Sequence, residues 1–338
     1  MYKQVSLDMV KRVIMHVGLG QTGTRTIQTT LASNRRTLAG LGAVYPGDAD
    51  AHHDLLALIH PKGTRHAWYK RQSISPEAAQ CLADRQMSAI RAAAATDASV
   101  ILLSSEFFQS LRAPQFTRLD HQIAALGYQL ETLCYIREPL AHTACRIEQG
   151  VRQGSARIAQ MMDRPYPPLA RDHCEAALTA LGRDRVHLRR MEDAAEHGLT
   201  IDMLSVAGLH PAPFTMLDIP DDARLCHDAV YLLDAINGDD AAFSGRRELF
   251  HHHADELFAM QGQPFTLPHD VARRVQTQSR PEQDWLFRHF HVRYPLQVLA
   301  DVPSHWQEIE WAADALFAVS QADPAAQDWH LPQQAATA

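Results

Sequence analysis

The chain is short of several features that would each name a class of protein. No apolar run approaches the roughly 18–20 residues of a membrane span, and Met1–Met9 has no apolar signal core. The five cysteines (Cys81, Cys134, Cys145, Cys174 and Cys226) include no Cys-x-x-Cys pair. Their scatter predicts buried thiols in a reducing cytoplasm, not a disulfide scaffold. Positive charge is not in excess. With 32 Lys and Arg against 39 Asp and Glu, the net charge is −7, so general attraction to nucleic acid or to an anionic membrane is not expected. Any basic ligand site must be local. There is no internal repeat, and no Pro/Gly/Ser-rich linker divides the 338 residues. The expectation is a cytoplasmic globular protein with no nucleic-acid partner. Oligomeric state leaves no signal.

Histidine is plentiful, with 20 in the chain. The densest cluster, His251-His252-His253 with Asp255 and Glu256, offers i,i+4 pairs on a helix. Adjacent helical histidines point in different directions and no zinc spacing occurs, so a solvated helix face is expected and no metal.

The most informative stretch is Val13–Gln28. A short apolar run, Val13 to Val17, ends in Gly18, Gly20 and Gly23, and an amphipathic segment then begins at Thr24 with Ile27, Leu31 and Leu38 on one face. That order reads as strand, phosphate loop, helix. Glycines open backbone angles that let successive N–H groups converge on an anion, and the helix N-terminus adds its positive end. Thr22 and Thr24 offer hydroxyl donors. The nucleotide-hydrolysing form of this device needs Lys and then Ser or Thr after the last glycine. Here Thr24 and Arg25 follow Gly23, so a kinase or NTPase is the weakest reading.

The remaining periodicity predicts strands at 100–103, 130–136 and 186–190. Helices are predicted over 76–95, 114–126, 139–152, 168–181, 198–208, 222–236, 240–260 and 281–292, and a polar connection over 47–75. The alternation in the first 150 residues predicts an α/β, P-loop-type three-layer fold with a central parallel sheet and a helical second half. We expect one domain over 1–322, with a core of about 10–190 and an elaboration of about 191–322. A disordered tail is expected at 323–338.

Together the motifs His16-Val-Gly18-Leu-Gly20-Gln21-Thr22-Gly23-Thr24, Asn34-Arg35 and Gly42-Ala-Val-Tyr45-Pro46 resemble the opening of PAPS-dependent sulfotransferases, in particular the bacterial branch. The similarity is dense over 12–46, recognisable at 100–106 and 135–154, and faint at 229–237 and 287–294. One position departs: Gln21 stands where that family has Lys. The resemblance implies transfer of a sulfuryl group from 3′-phosphoadenosine 5′-phosphosulfate (PAPS), without a metal, to a hydroxyl or amine of a small molecule or glycan. It implies that Gly20, Gln21, Thr22, Gly23, Thr24, Arg25 and Thr26 hold the 5′-phosphosulfate. Arg137 and, eight residues on, Cys145 would line the 3′-phosphate side, where the family has Arg and Ser; a thiol is a poor donor, and Arg146 or Arg152 is a candidate to compensate.

Ligands of open α/β sheets bind beyond the carboxyl ends of the strands. The glycine loop, Ser104-Ser105-Glu106 and Arg137-Glu138-Pro139 all fall at predicted strand ends. Glu106 is a candidate proton acceptor or an anchor for the loop. Of the adjacent His52 and His53, one is expected to face the pocket, and His53 is the candidate base. His16 reads as a core histidine. Gln21 carries no charge to stabilise a leaving oxygen. Either Arg25 replaces that charge, or the site is a catalytically impaired nucleotide-binding pseudoenzyme, or the scaffold is reused for other chemistry.

Overall fold

The structure is a computed structural model that describes residues 10–168, 170–210, 214–216, 224–238, 250 and 253–295. These fall into two compact units. The first draws on residues within 1–142, 167–223 and 275–297, the second on residues within 143–166 and 224–274.

The first unit is α/β. Five strands, β1 (Arg12–Val17), β2 (Ala43–Val44), β3 (Val100–Ser105), β4 (Gln129–Ile136) and β5 (Val186–Arg190), form one sheet in the order β2-β3-β1-β4-β5. Every pairing is parallel. The helices in chain order are α1 (Thr24–Ser33), α2 (Arg35–Gly40), α3 (Leu56–Ile59), α4 (Ala67–Arg71), α5 (Pro76–Ala94), α6 (Ala113–Ala124), α7 (Pro139–Arg152), α8 (Ile158–Asp163), α9 (Ala170–Leu181), α10 (Met191–Ala195), α11 (Leu199–Val206) and α12 (His227–Asn237). Helices Ala254–Ala259 and His269–Phe290 follow.

The period-two geometry of β1 divides the core between two faces. Val13, Met15 and Val17 pack with buried residues of α5, α6 and α9, while Ile14 packs with Ile27, Leu31 and Leu38 of α1 and α2 and with Met203 and Leu204 of α11. Helices on both faces of an all-parallel sheet explain why β1, β3 and β4 read as continuous apolar runs. The chain runs from β1 to β2 and β3 on one side and crosses to β4 on the other. The strand order therefore reverses around β1, and in open α/β sheets ligands bind beyond the carboxyl ends of the strands at such a point.

The amphipathic segment after the loop is two helices, not one. Asn34 interrupts it, donating from Nδ2 to Thr30 O and Thr215 O and accepting from Thr215 N. Arg35 then donates to Ala32 O at 3.1 Å and Tyr45 O at 3.3 Å, with its guanidinium over the Tyr45 ring. The Asn34-Arg35 and Tyr45-Pro46 motifs are thus a brace between α2 and the segment after β2. The connection 47–75 carries α3 and α4, and the two-residue edge strand β2 lies below what periodicity can register.

In the second unit, Asp234 of α12 receives Arg157 Nε at 3.1 Å and the Ile158 N–H at 2.9 Å. Asn237 donates to Val151 O at 2.8 Å. Glu148 accepts from Arg224 Nε at 3.0 Å and Leu225 N at 2.9 Å. The expected helix 240–260 lies largely outside the described residues, as do the 323–338 tail and both His251 and His252. The helix expected at 281 begins at His269 and continues through Pro281; a proline there reads in sequence as a helix start because it lacks the N–H of an interior residue. Among the described residues no helix is long and apolar enough to cross a membrane, and no three His, Cys, Asp or Glu side chains gather as a metal would require. Cys134, Cys174 and Cys226 are buried as expected, but Cys81 is exposed and Cys145 only half-buried.

Candidate active site

The glycine loop follows the central strand. Gly18 N donates to Ser105 O at 3.1 Å, fastening the start of the loop to β3. A Cβ on Gly18 would stand 2.5 Å from both Thr24 Oγ1 and Cγ2 and 3.1 Å from Glu106 Cα, so glycine lets the first turn of α1 close onto the strand ends. Gln21 and Gly23 both adopt positive φ, 64° and 67°, on either side of Thr22. Such alternation turns successive N–H groups towards one side of a loop. Gly23 caps α1, and a Cβ there would meet Leu199 Cδ1 of α11 at 2.3 Å. Gly20 has open space around it.

The two threonines differ. Thr22 is buried and donates its hydroxyl to Leu19 O at 2.7 Å, so it closes the loop on itself instead of offering a donor to a ligand. Thr24 Oγ1 is buried with no hydrogen-bond partner among the described residues, at the N-terminus of α1. The first turn of α1 has no acidic residue of its own, so no carboxylate within that turn opposes its positive end. Arg25 is exposed in that turn and Thr26 is half-buried. Arg137, at the end of β4, donates from Nη1 to Gln21 O at 2.9 Å and so brings a permanent positive charge to the loop. Glu138 is buried and accepts from Ala141 N at 2.7 Å, serving the start of α7. Cys145 lies in the second unit. There Arg146 stands over Tyr166, and Arg152 over Phe250 and Phe258 with Glu148 at 3.9 Å.

The two adjacent histidines separate into different roles. His52 is fully buried; its Nδ1 accepts the Ser104 N–H at 3.1 Å and its Nε2 reaches Pro46 O at 3.0 Å. Because Nδ1 is an acceptor, the proton is on Nε2, and burial holds the pKa down at about 4. His52 is a structural tie. His16 is likewise sealed in the core, its Nδ1 2.8 Å from Ser104 Oγ and its pKa lowered by burial to about 3.

His53 and Glu106 meet. His53 Nε2 is 3.5 Å from Glu106 Oε2, and His53 Nδ1 is 2.7 Å from Ser105 Oγ. Ser105 Oγ also accepts the Phe107 N–H at 3.2 Å, and its own hydrogen finds an acceptor at His53 Nδ1. The arrangement that satisfies every group puts the imidazole proton on Nε2, facing Glu106. Burial lowers the His53 pKa below its usual 6.5, against the opposing pull of Glu106. Gln28, one turn into α1, donates from Nε2 to the same Glu106 Oε2 at 3.1 Å. Oε2 therefore accepts from Gln28 and has His53 Nε2 beside it, while Oε1 has no partner among the described residues and the side chain is 41% exposed. Gln28 and Ser105 had no role assigned from sequence. Their signal was positional: Gln28 lies four residues after Thr24 on the same helix face, and Ser105 precedes Glu106 at the strand end.

Half-exposed Phe107 and Trp68 stand beside this pair, with ring centroids 4.8 and 5.3 Å from His53. The ensemble can bind an anion at the loop and accept a proton at Glu106 Oε1.

No family model matches the chain, and no curated protein matches it. Among solved structures, it is similar to the crystal structure of retinol dehydratase in complex with androsterone and inactive cofactor PAP. The identity is 9%, the TM-score is 0.35, and the match covers 85% of this chain and 84% of that one.

Proposed function

We propose that the protein transfers a sulfuryl group from PAPS to a hydroxyl or amine of a small molecule or glycan. The observation that carries this reading is the placement of Glu106. Its Cα would lie 3.1 Å from a Cβ on Gly18 at the start of the anion loop, one carboxylate oxygen accepts from Gln28 with His53 Nε2 3.5 Å away, and the other has no partner among the described residues. The loop fits the 5′ end of the nucleotide: a buried orphan hydroxyl at Thr24, positive φ at Gln21 and Gly23, and a helix N-terminus free of acid.

PAPS supplies the activated group. Gly20 to Thr26 hold its 5′-phosphosulfate, and Arg137 serves the 3′-phosphate. Glu106 Oε1 takes the acceptor's proton. His53, held in its Nε2–H tautomer by Ser105, and Gln28 keep the carboxylate ionised and aimed. The uncharged Gln21 withholds the cation that a lysine would supply, an effect on the order of 10²–10³ in rate by analogy with a lost oxyanion donor. The guanidinium of Arg137 on the Gln21 carbonyl offsets part of that loss by placing charge at the same loop.

The test is calorimetric titration with 3′-phosphoadenosine 5′-phosphate (PAP), ATP and AMP, followed by PAPS turnover in the wild type and in Gln21→Lys. Micromolar binding of PAP alone and faster turnover with lysine support the assignment. Absence of PAP binding overturns it. PAP binding with no turnover in either form assigns the pseudoenzyme reading instead.

A further inference from the structure

A second basic feature lies apart from the glycine loop, in the same unit. An open depression of about 390 Å³ is lined by residues 57–58 and 60–65, by Gln80 of α5 and by Arg118 of α6. Three of its walls are permanently cationic: Lys62, Arg65 and Arg118. None of its lining residues is an acid. Lys62 and Arg65 make no ion pair among the described residues, and Arg118 spends only one N–H on Ile59 O, at 3.1 Å. In a chain of net charge −7, three cations gather around one concavity that has no carboxylate among its lining residues, although Asp84, one turn along α5, accepts from Gln80 Nε2 at 3.0 Å. Like charges so placed repel unless an anion joins them.

A row of rings leads from this depression to the reactive pair. His60 of its wall lies 4.6 Å from His66, His66 lies 5.4 Å from Phe107, and Phe107 lies 4.8 Å from His53, which touches Glu106. Burial and neighbouring Lys62 hold His66 below its ordinary pKa, and burial, His66 and Lys62 do the same to His60. The row is thus uncharged near neutral pH, a surface for stacking that ends in a cationic pocket.

We infer that the depression lined by Lys62, Arg65 and Arg118 binds an anionic group (carboxylate, sulfate or phosphate) carried by the acceptor, whose reacting hydroxyl or amine lies at Glu106. This rests on the sulfotransferase reading and adds to it the class of acceptor: an anionic molecule long enough to span the ring row.

The test uses the full chain saturated with PAP, so that the glycine loop is blocked. Three probes are titrated by calorimetry: a heparin-derived sulfated hexasaccharide, neutral maltohexaose, and inorganic sulfate. The variant is Lys62→Gln/Arg65→Gln, chosen because neither side chain holds another part of the fold; Arg118→Gln is the second variant. The sulfated hexasaccharide is expected to bind the wild type, more weakly as salt rises. It should lose about tenfold or more in the double variant, as two charge-assisted contacts disappear, with PAP affinity unchanged. Equal binding of maltohexaose, or unchanged hexasaccharide affinity in both variants, overturns the site. Sulfate binding as tightly as the hexasaccharide makes it a free-anion site and overturns its role in acceptor recognition. Failure of the wild type to bind PAP, with hexasaccharide binding retained and lost in the variants, instead sinks the sulfotransferase reading and leaves the anion site standing.

Discussion

Glu106→Gln is the substitution that isolates the proposed base. Glutamine keeps the shape, and its carbonyl oxygen can still accept from Gln28 Nε2 at 3.1 Å beside His53 Nε2. What disappears is the ability of the second oxygen to take a proton. A positioned general base contributes about 10²–10⁴ in rate, or roughly 3–5 kcal/mol. PAPS turnover to PAP with an alcohol or amine acceptor should fall by that factor, with PAP affinity unchanged. His53→Gln tests the supporting role. Burial holds His53 below its ordinary pKa, so what it offers the carboxylate near neutral pH is a neutral polar contact, worth about 0.5–1.5 kcal/mol. Losing His53 should therefore cost about tenfold or less, not thousands. The size of the two losses separates the two roles. Full activity in Glu106→Gln, or a loss in His53→Gln as large as that in Glu106→Gln, refutes Glu106 as the base.

Three further outcomes follow from the same geometry. Arg137→Ala removes the guanidinium proposed to contact the 3′-phosphate, a charge-assisted contact of about 1.5–3 kcal/mol; PAP affinity should drop at least tenfold by calorimetry, and unchanged affinity refutes its place in the nucleotide site. Gly23→Ala puts a Cβ 2.3 Å from Leu199 Cδ1 at a φ of 67°, so left-handed strain and overpacking together should cost about 2–4 kcal/mol in denaturant unfolding. Gly20→Ala, with open space around it, should stay within about 0.5 kcal/mol, and equal losses at the two positions would refute the packing argument. Glu282 accepts the Arg171 N–H at 2.7 Å, and burial, reinforced by Asp172, raises its pKa to about 7. The folded state then binds this proton more tightly than the unfolded chain, so its contribution to stability is greatest below the usual carboxylate range and declines as pH rises towards 7. Glu282→Gln should gain stability at pH 8 and none at pH 4, measured by urea midpoints.

The parts of the fold that could be read from sequence were those set by local chemistry. Gly18, Gly20 and Gly23 after an apolar run determine a strand-loop-helix almost without tertiary help, and Ser75 before Pro76 marks a helix start. β3 and β4 were readable because burial on both faces leaves no polar alternation to confuse. Asn34 was harder, since its side chain breaks the helix by bonding to Thr215, a partner 181 residues away that no window contains. The site divides in the same manner. Glu106 and His53 could each be nominated from their neighbours, yet they read as alternatives until β3 and the turn after Pro46 brought Nε2 and Oε2 to 3.5 Å. The spare hydrogen-bonding capacity of Ser105 then selects between them, because a hydroxyl already accepting from Phe107 N serves best as donor to Nδ1. That donation fixes the imidazole proton on Nε2 and leaves the open carboxylate oxygen as the group able to act. Arg137, given to the 3′-phosphate by the resemblance and by its place at a strand end, donates to the backbone carbonyl of Gln21. On the proposed reading, lysine at position 21 would bring a second cation to the same loop, and Gln21→Lys should lessen the dependence of PAP affinity on Arg137.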